Sequence, residues 1–241
     1  MVVKNLTSIQ GSTVAESMLD LLTKISQEIR SFDNVTLVEV YEPTTNVKRY
    51  LYELDDFEDD YLFITNNNSS SLMIYYGFIS KTDSHGSTNR ISVSTTTKTI
   101  STRVYGVDLY LLSNNNILKG FSVNATSNLS MNYIIFTIEE NEPYVLYKNG
   151  SNVGVYKSTN SPIMKYLYLS YPYASTSGVA IKRKALVQEG ANISGLYMIF
   201  ENVIVFSNTE FNSNTNKCIM VDGKKYRQVY DKGIFVEDVD F

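Results

Sequence analysis

Tryptophan is missing from this chain of 241 residues, and cysteine and histidine occur once each. A lone cysteine, Cys218, excludes an internal disulfide framework and fits synthesis in a reducing compartment. A lone histidine, His85, excludes a two-histidine metal site. Any Ser-His-Asp or Cys-His centre would have to use it as the base. Glycine numbers only 12 and proline 4, and no glycine-rich run has the spacing that cradles phosphate. No window is long and apolar enough to cross a bilayer, so no membrane partner is expected. The opening Met1-Val2-Val3-Lys4-Asn5-Leu6-Thr7 lacks the apolar region and small-residue cleavage site of a secretory signal. Sequons such as Asn124-Ala125-Thr126 are then a by-product of composition. Basic charge is also short: Lys and Arg total 21 against 25 Asp and Glu, a net charge of −4. That is no footprint for nucleic acid. Lys182-Arg183-Lys184 and Lys224-Lys225 read as solvated loop charge.

What the chain has in excess is Asn, Ser and Thr, about 70 positions together, and tyrosine, with 19. Thr favours strands, Ser and Asn favour turns, and Tyr suits half-wet faces and subunit contacts. One helix is predicted. Thr13-Val14-Ala15-Glu16 has capping-box spacing. Val14, Met18, Leu21, Leu22, Ile25 and Ile29 then make one apolar stripe, which predicts a helix to about Ser31. The stripe must cover the β body or a neighbouring subunit.

From Val35 the pattern turns to short apolar runs of period two. Strands are predicted at Val35–Tyr41 (ended by Glu42-Pro43), Tyr61–Ile64, Leu72–Ile79, Arg90–Ser94, Tyr105–Leu112, Met131–Ile138, Tyr144–Tyr147, Val153–Tyr156, Lys165–Ser170 and Leu196–Phe206. Asn66 to Ser71 and Asn114-Asn115-Asn116 read as loops. Asn149-Gly150 and Asp222-Gly223 read as the turns of two hairpins, because both pairs tolerate the positive φ of a type I′ turn. The expected fold is mainly β: an antiparallel β-sandwich or jelly-roll-like body over 34–241, preceded by a segment, 1–33, that holds the amphipathic helix.

No catalytic, cofactor-binding or metal-binding residue is assigned. His85 sits in Lys81-Thr82-Asp83-Ser84-His85-Gly86-Ser87, a loop composition. Cys218 lies in the apolar run Cys218-Ile219-Met220-Val221, where it is expected to pack as a small hydrophobe. The acidic run Glu53-Leu54-Asp55-Asp56-Phe57-Glu58-Asp59-Asp60 lacks the alternation, central glycine and closing Glu of a calcium loop. Its Leu54, Phe57, Tyr61 and Leu62 fit an amphipathic turn leading into a strand. A carboxylate pair for glycoside hydrolysis is a three-dimensional fact that nothing here selects. Tyr166, Tyr168, Tyr171 and Tyr173 form the densest aromatic stretch, suited to a core, a protein interface or a sugar.

The opening helix, Leu72-Met73-Ile74-Tyr75-Tyr76-Gly77-Phe78, Met131-Asn132-Tyr133-Ile134-Ile135-Phe136, the Asn149-Gly150 hairpin, Tyr171-Pro172-Tyr173 and the closing Ile219-Met220-Val221-Asp222-Gly223-Lys224-Lys225-Tyr226-Arg227-Gln228-Val229 follow one another in an order that resembles virion structural proteins of tailed bacteriophages. The likeness is to tail-end and baseplate components from phages of Gram-positive bacteria, and to related parts of phage-tail-like particles. It implies a non-enzymatic subunit without cofactor, made in the host cytoplasm, located in the virion and held among other tail proteins as a homo-oligomer. Leu146-Tyr147-Lys148-Asn149-Gly150 also looks like a strand pair of lectin-like jelly rolls. That likeness keeps open a carbohydrate-binding sandwich that would take a host surface glycan.

Overall fold

A computed structural model describes residues 1–57, 60–67, 71–78, 91–125, 132–139, 142–149, 152–157, 167–169, 186–189, 196–197, 203–205, 218–221, 223–228 and 234–237. The chain opens with β1 (Val2–Thr7) and α1 (Val14–Ile29). A meander follows: β2 (Val35–Thr44), β3 (Val47–Leu54), β4 (Asp60–Asn67), β5 (Ser71–Phe78) and β6 (Ile91–Thr96) form a five-stranded antiparallel sheet in that order. Next come β7 (Lys98–Ser101), β8 (Val104–Asn114), β9 (Ile117–Asn124), β10 (Tyr133–Glu139), β11 (Glu142–Asn149), β12 (Asn152–Lys157), β13 (Leu167–Leu169), β14 (Leu186–Glu189) and β15 (Leu196–Tyr197). These join β1 in a ten-stranded antiparallel sheet ordered β1-β8-β9-β10-β11-β12-β13-β14-β15, with β7 also on β8. Finally β16 (Val203–Val205), β17 (Cys218–Val221), β18 (Lys224–Gln228) and β19 (Ile234–Glu237) make a four-stranded sheet ordered β16-β19-β18-β17. The fold is mainly β, antiparallel and sandwich-like, with its helix near the N-terminus.

Helix α1 begins as its sequence requires. Thr13 is extended and its hydroxyl accepts from Glu16 N–H at 3.2 Å. The return bond differs from the capping-box expectation. Glu16 reaches chiefly to Ser12, accepting from its N–H and its hydroxyl, each at 2.7 Å, with the Thr13 N–H a weaker contributor. Met18, Leu21, Leu22, Ile25 and Ile29 are buried almost completely. Each such side chain contributes roughly 1.5–3 kcal/mol, so packing rather than intrinsic propensity holds this helix. Val14, expected on the stripe, is 37% exposed, because the first turn reaches past the covered part of the helix.

The stripe is covered within the chain. Helix α1 touches β3 and β4 of one sheet and β1 and β8 of the other, so both sheets share its apolar face. Tyr52, Leu62, Ile74 and Tyr76 from the five-stranded sheet, and Leu109, Phe121, Ile134 and Phe136 from the ten-stranded sheet, belong to the same core. Away from the helix, aromatic rings join the layers: Phe136 lies 5.5 Å from Phe57 and 5.6 Å from Tyr76, centre to centre. Within the ten-stranded sheet Gly120 of β9 lets β10 come close, since a Cβ there would stand 2.5 Å from the Ile134 carbonyl oxygen.

Neither large sheet alternates simply between core and water. Leu51, Tyr61 and Phe63 form a second apolar cluster on the other face of the five-stranded sheet. Tyr110, Leu112, Tyr133, Ile135 and Leu146, on the second face of the ten-stranded sheet, are buried too. The unbroken run Tyr133-Ile134-Ile135-Phe136 is the sequence mark of a strand covered on both sides.

Several boundaries differ from the sequence reading. Strand β2 continues through Pro43 as an edge strand, and its pairing shifts between Tyr41 and Thr44, where the proline sits. Asn66 and Asn67 end β4 instead of opening a loop. The buried Asn66 side chain accepts from Lys48 N–H at 3.0 Å and donates to the Asn46 carbonyl at 2.7 Å, tying down the β2–β3 turn. Asn115 and Asn116, with φ of 47° and 62°, are the two residues of a tight β8–β9 hairpin. The run Leu196–Phe206 contains two strands, β15 and β16, in different sheets. In the β11–β12 hairpin Asn149 pairs with Asn152, so the ladder includes Asn149 itself. Gly223 does take positive φ, 79°, between β17 and β18.

Candidate interaction surface

Hydroxyl groups gather where α1 meets the sheets, and each is matched. Ser26 Oγ accepts from Tyr52 Oη at 2.6 Å, and Thr23 Oγ1 lies 2.9 Å from Tyr50 Oη. Burial pushes the Tyr52 hydroxyl far above its usual range, so it stays a neutral donor to Ser26. Ser17 Oγ donates to the Arg103 carbonyl at 2.6 Å and accepts from Gly11 N–H at 3.0 Å. Asn34 uses both ends of its amide on β9, donating to the Leu118 carbonyl at 3.1 Å and accepting from Leu118 N–H at 2.8 Å. Such matched pairs anchor the helix and the start of β2.

One ridge of α1 lies along β1. Asp20, Lys24 and Glu28, four residues apart, face Ile9, Thr7 and Lys4 in turn, so strand and helix run antiparallel. Asp20 Oδ2 accepts from Ile9 N–H at 2.8 Å and meets Lys24 Nζ at 2.9 Å. Lys24 Nζ also donates to the Thr7 carbonyl at 2.7 Å, and Lys4 Nζ stands 3.7 Å from Glu28. Leu6 of β1 packs partly buried against the core, while the strand's outer half is open to water, with Val2 49% and Val3 45% exposed. Among the described strands β1 pairs with β8 alone, so it is the edge of the ten-stranded sheet.

Among the described strands, β2 is one edge of the five-stranded sheet and β6 the other. Leu37 pairs with Tyr52 and Glu39 with Leu51, leaving Val38 as the extra residue of a bulge. Val38 and Val40 are exposed there. Nearby, Glu42 binds Lys48 at 2.8 Å, which raises the Lys48 ammonium pKa above its ordinary value. On β17, the edge of the four-stranded sheet, Cys218 is exposed and Met220 is 63% exposed. Cys218 is therefore not the packed hydrophobe expected from its apolar run. Alternation puts it with Met220 on the side of an edge strand that faces water.

Leu54, Phe57, Tyr61 and Leu62 are buried, as an amphipathic turn requires. Asp56 takes positive φ of 67° between them. Among the described residues no three His, Cys, Asp or Glu side chains come together as a metal site would need. No described helix is long and apolar enough to cross a membrane. His85, Lys182-Arg183-Lys184, Tyr166, Tyr171 and Tyr173 lie outside the described residues, and of Tyr168 only the strand position in β13 is described. Residues that sequence reasoning missed are those of β1, an edge of six residues whose Val-Val pair was too short to stand out. The chain matches no family model and no curated protein.

Proposed function

We propose that this chain is a non-enzymatic structural subunit of a bacteriophage or phage-tail-like particle, a tail-end or baseplate component working through protein–protein contacts. The observation that supports contact work is the pair of sheet edges, β1 and β2, each presenting exposed valines beside main chain that no described strand pairs on its outer side. Edges of this kind recruit further chains unless they are guarded. The particle type comes from the order of sequence features that resembles tail-end proteins. Purified particles, digested and quantified by mass spectrometry, should contain the chain in several copies per particle. Immunogold labelling in negative stain should place it at one end of the tail. Absence from purified particles overturns the reading.

A further inference from the structure

The hydrogen-bonding phase of β1 is fixed by one contact. Ser8 N–H donates to the Tyr105 carbonyl at 2.8 Å, continuing the register that sets Thr7 opposite Gly106 and Val2 opposite Leu111. Hydrogen-bonded and non-bonded pairs alternate along an antiparallel ladder. Leu6, Lys4 and Val2 therefore turn their N–H and C=O groups toward β8, while Thr7, Asn5 and Val3 turn theirs outward. Two observations agree with this phase. The Thr7 carbonyl meets Lys24, and the Ile9 N–H meets Asp20, both on the side away from β8. Helix α1 thus seals the edge at its C-terminal end. Toward the N-terminus its ridge meets Lys4 through Glu28, a side-chain pair that does nothing for the outward backbone groups of Val3 and Asn5. Lysine guards many sheet edges by its charge, yet Lys4 alternates onto the helix side and faces a carboxylate.

We propose that this open end of β1 pairs with β1 of a second copy, antiparallel about a two-fold axis, joining two ten-stranded sheets into one. The register follows from the phase and the charges. Outward-facing residues must meet outward-facing residues, which leaves three symmetric choices. Asn5 on the axis would set Val3 against Thr7, whose carbonyl Lys24 already holds. Lys4 on the axis would oppose two like charges directly, which is destabilising. Val3 on the axis sets Val3 against its own symmetry mate and Val2 against the aliphatic stem of Lys4. It covers two valines that are otherwise about half exposed. This inference deepens the structural-subunit reading by naming one contact.

The test uses the full-length protein in sedimentation equilibrium over a concentration series. Wild type should pass from monomer to dimer. Val3→Pro removes an N–H that points away from β8, so the intrachain ladder keeps its bonds while the new pair loses its own. Val3→Lys places two like charges on the axis and provides a second variant if the proline perturbs β1. Each should raise the dimer dissociation constant by about tenfold or more, with an unchanged far-ultraviolet circular dichroism spectrum. A wild type that stays monomeric up to about millimolar concentration, or a dimer that either folded variant leaves intact, overturns the contact. Those outcomes do not touch the particle reading, and absence from particles does not touch the dimer.

Discussion

Asn34 makes with its side chain the two bonds that a strand neighbour would make with its backbone. Removing it leaves the N–H and C=O of Leu118 buried and unmatched. Asn34→Ala should therefore lower unfolding free energy by about 2–4 kcal/mol, read from urea unfolding curves. Asn34→Asp, which keeps an acceptor but loses the donor, should not restore it. Glu16 offers a pH test. Its bonds to the Ser12 hydroxyl and N–H hold its pKa below the ordinary 4.5. A depressed carboxylate contributes stability above its unfolded value and loses it as pH falls through the folded one. The first turn of α1 should thus fray as pH drops below about 4.5, seen as lost stability relative to neutral pH. Glu16→Gln should flatten that part of the pH profile. An unchanged profile in the variant would assign the acid sensitivity to another group.

Helix α1 is the wedge on which the two large sheets close, and its substitutions divide by position. Leu22→Asp buries an unpaired charge between both sheets and should abolish soluble folded protein. Leu22→Ala should cost about 2–5 kcal/mol. Val14→Ala, at the exposed first turn, should change stability by less than about 0.5 kcal/mol. Thermal and urea unfolding of the three would check the order, and equal losses at Val14 and Leu22 would contradict the packing described above. The stripe's burial inside the chain also means that α1 does not offer its apolar face to a neighbour. On the reading proposed above, association would fall instead to strand edges, where the hydrogen-bonding groups are.

Assembly is where function is expected to reside. A copy in a symmetric particle should bury more than about 1,000 Å² in specific contacts, measurable by cryo-electron microscopy of the particle. His85→Ala and Cys218→Ser should leave incorporation intact. The one is the chain's sole imidazole in a polar stretch, and the other is an exposed thiol on an edge strand. Loss of incorporation by a folded His85 variant would instead implicate a metal or a proton-sensing step.

The helix with its cap and stripe, the mainly antiparallel strand content and two hairpins could be read from the chain directly. They depend on local spacing: a hydroxyl three residues before Glu16, apolar positions three and four apart, and turn residues between runs of period two. The Asn-rich stretches misled for the opposite reason. Asn66 is buried at a strand end because a turn 20 residues away presents Asn46 O to its amide, and no local pattern carries that. Cys218 sits in an apolar run but on the water side of an edge strand, a matter of sheet order. Only tertiary pairing made β1 an edge and brought Asp20 and Lys24 to its outward backbone groups. Periodicity says which residues alternate. Which strand lacks a neighbour depends on how distant segments pair.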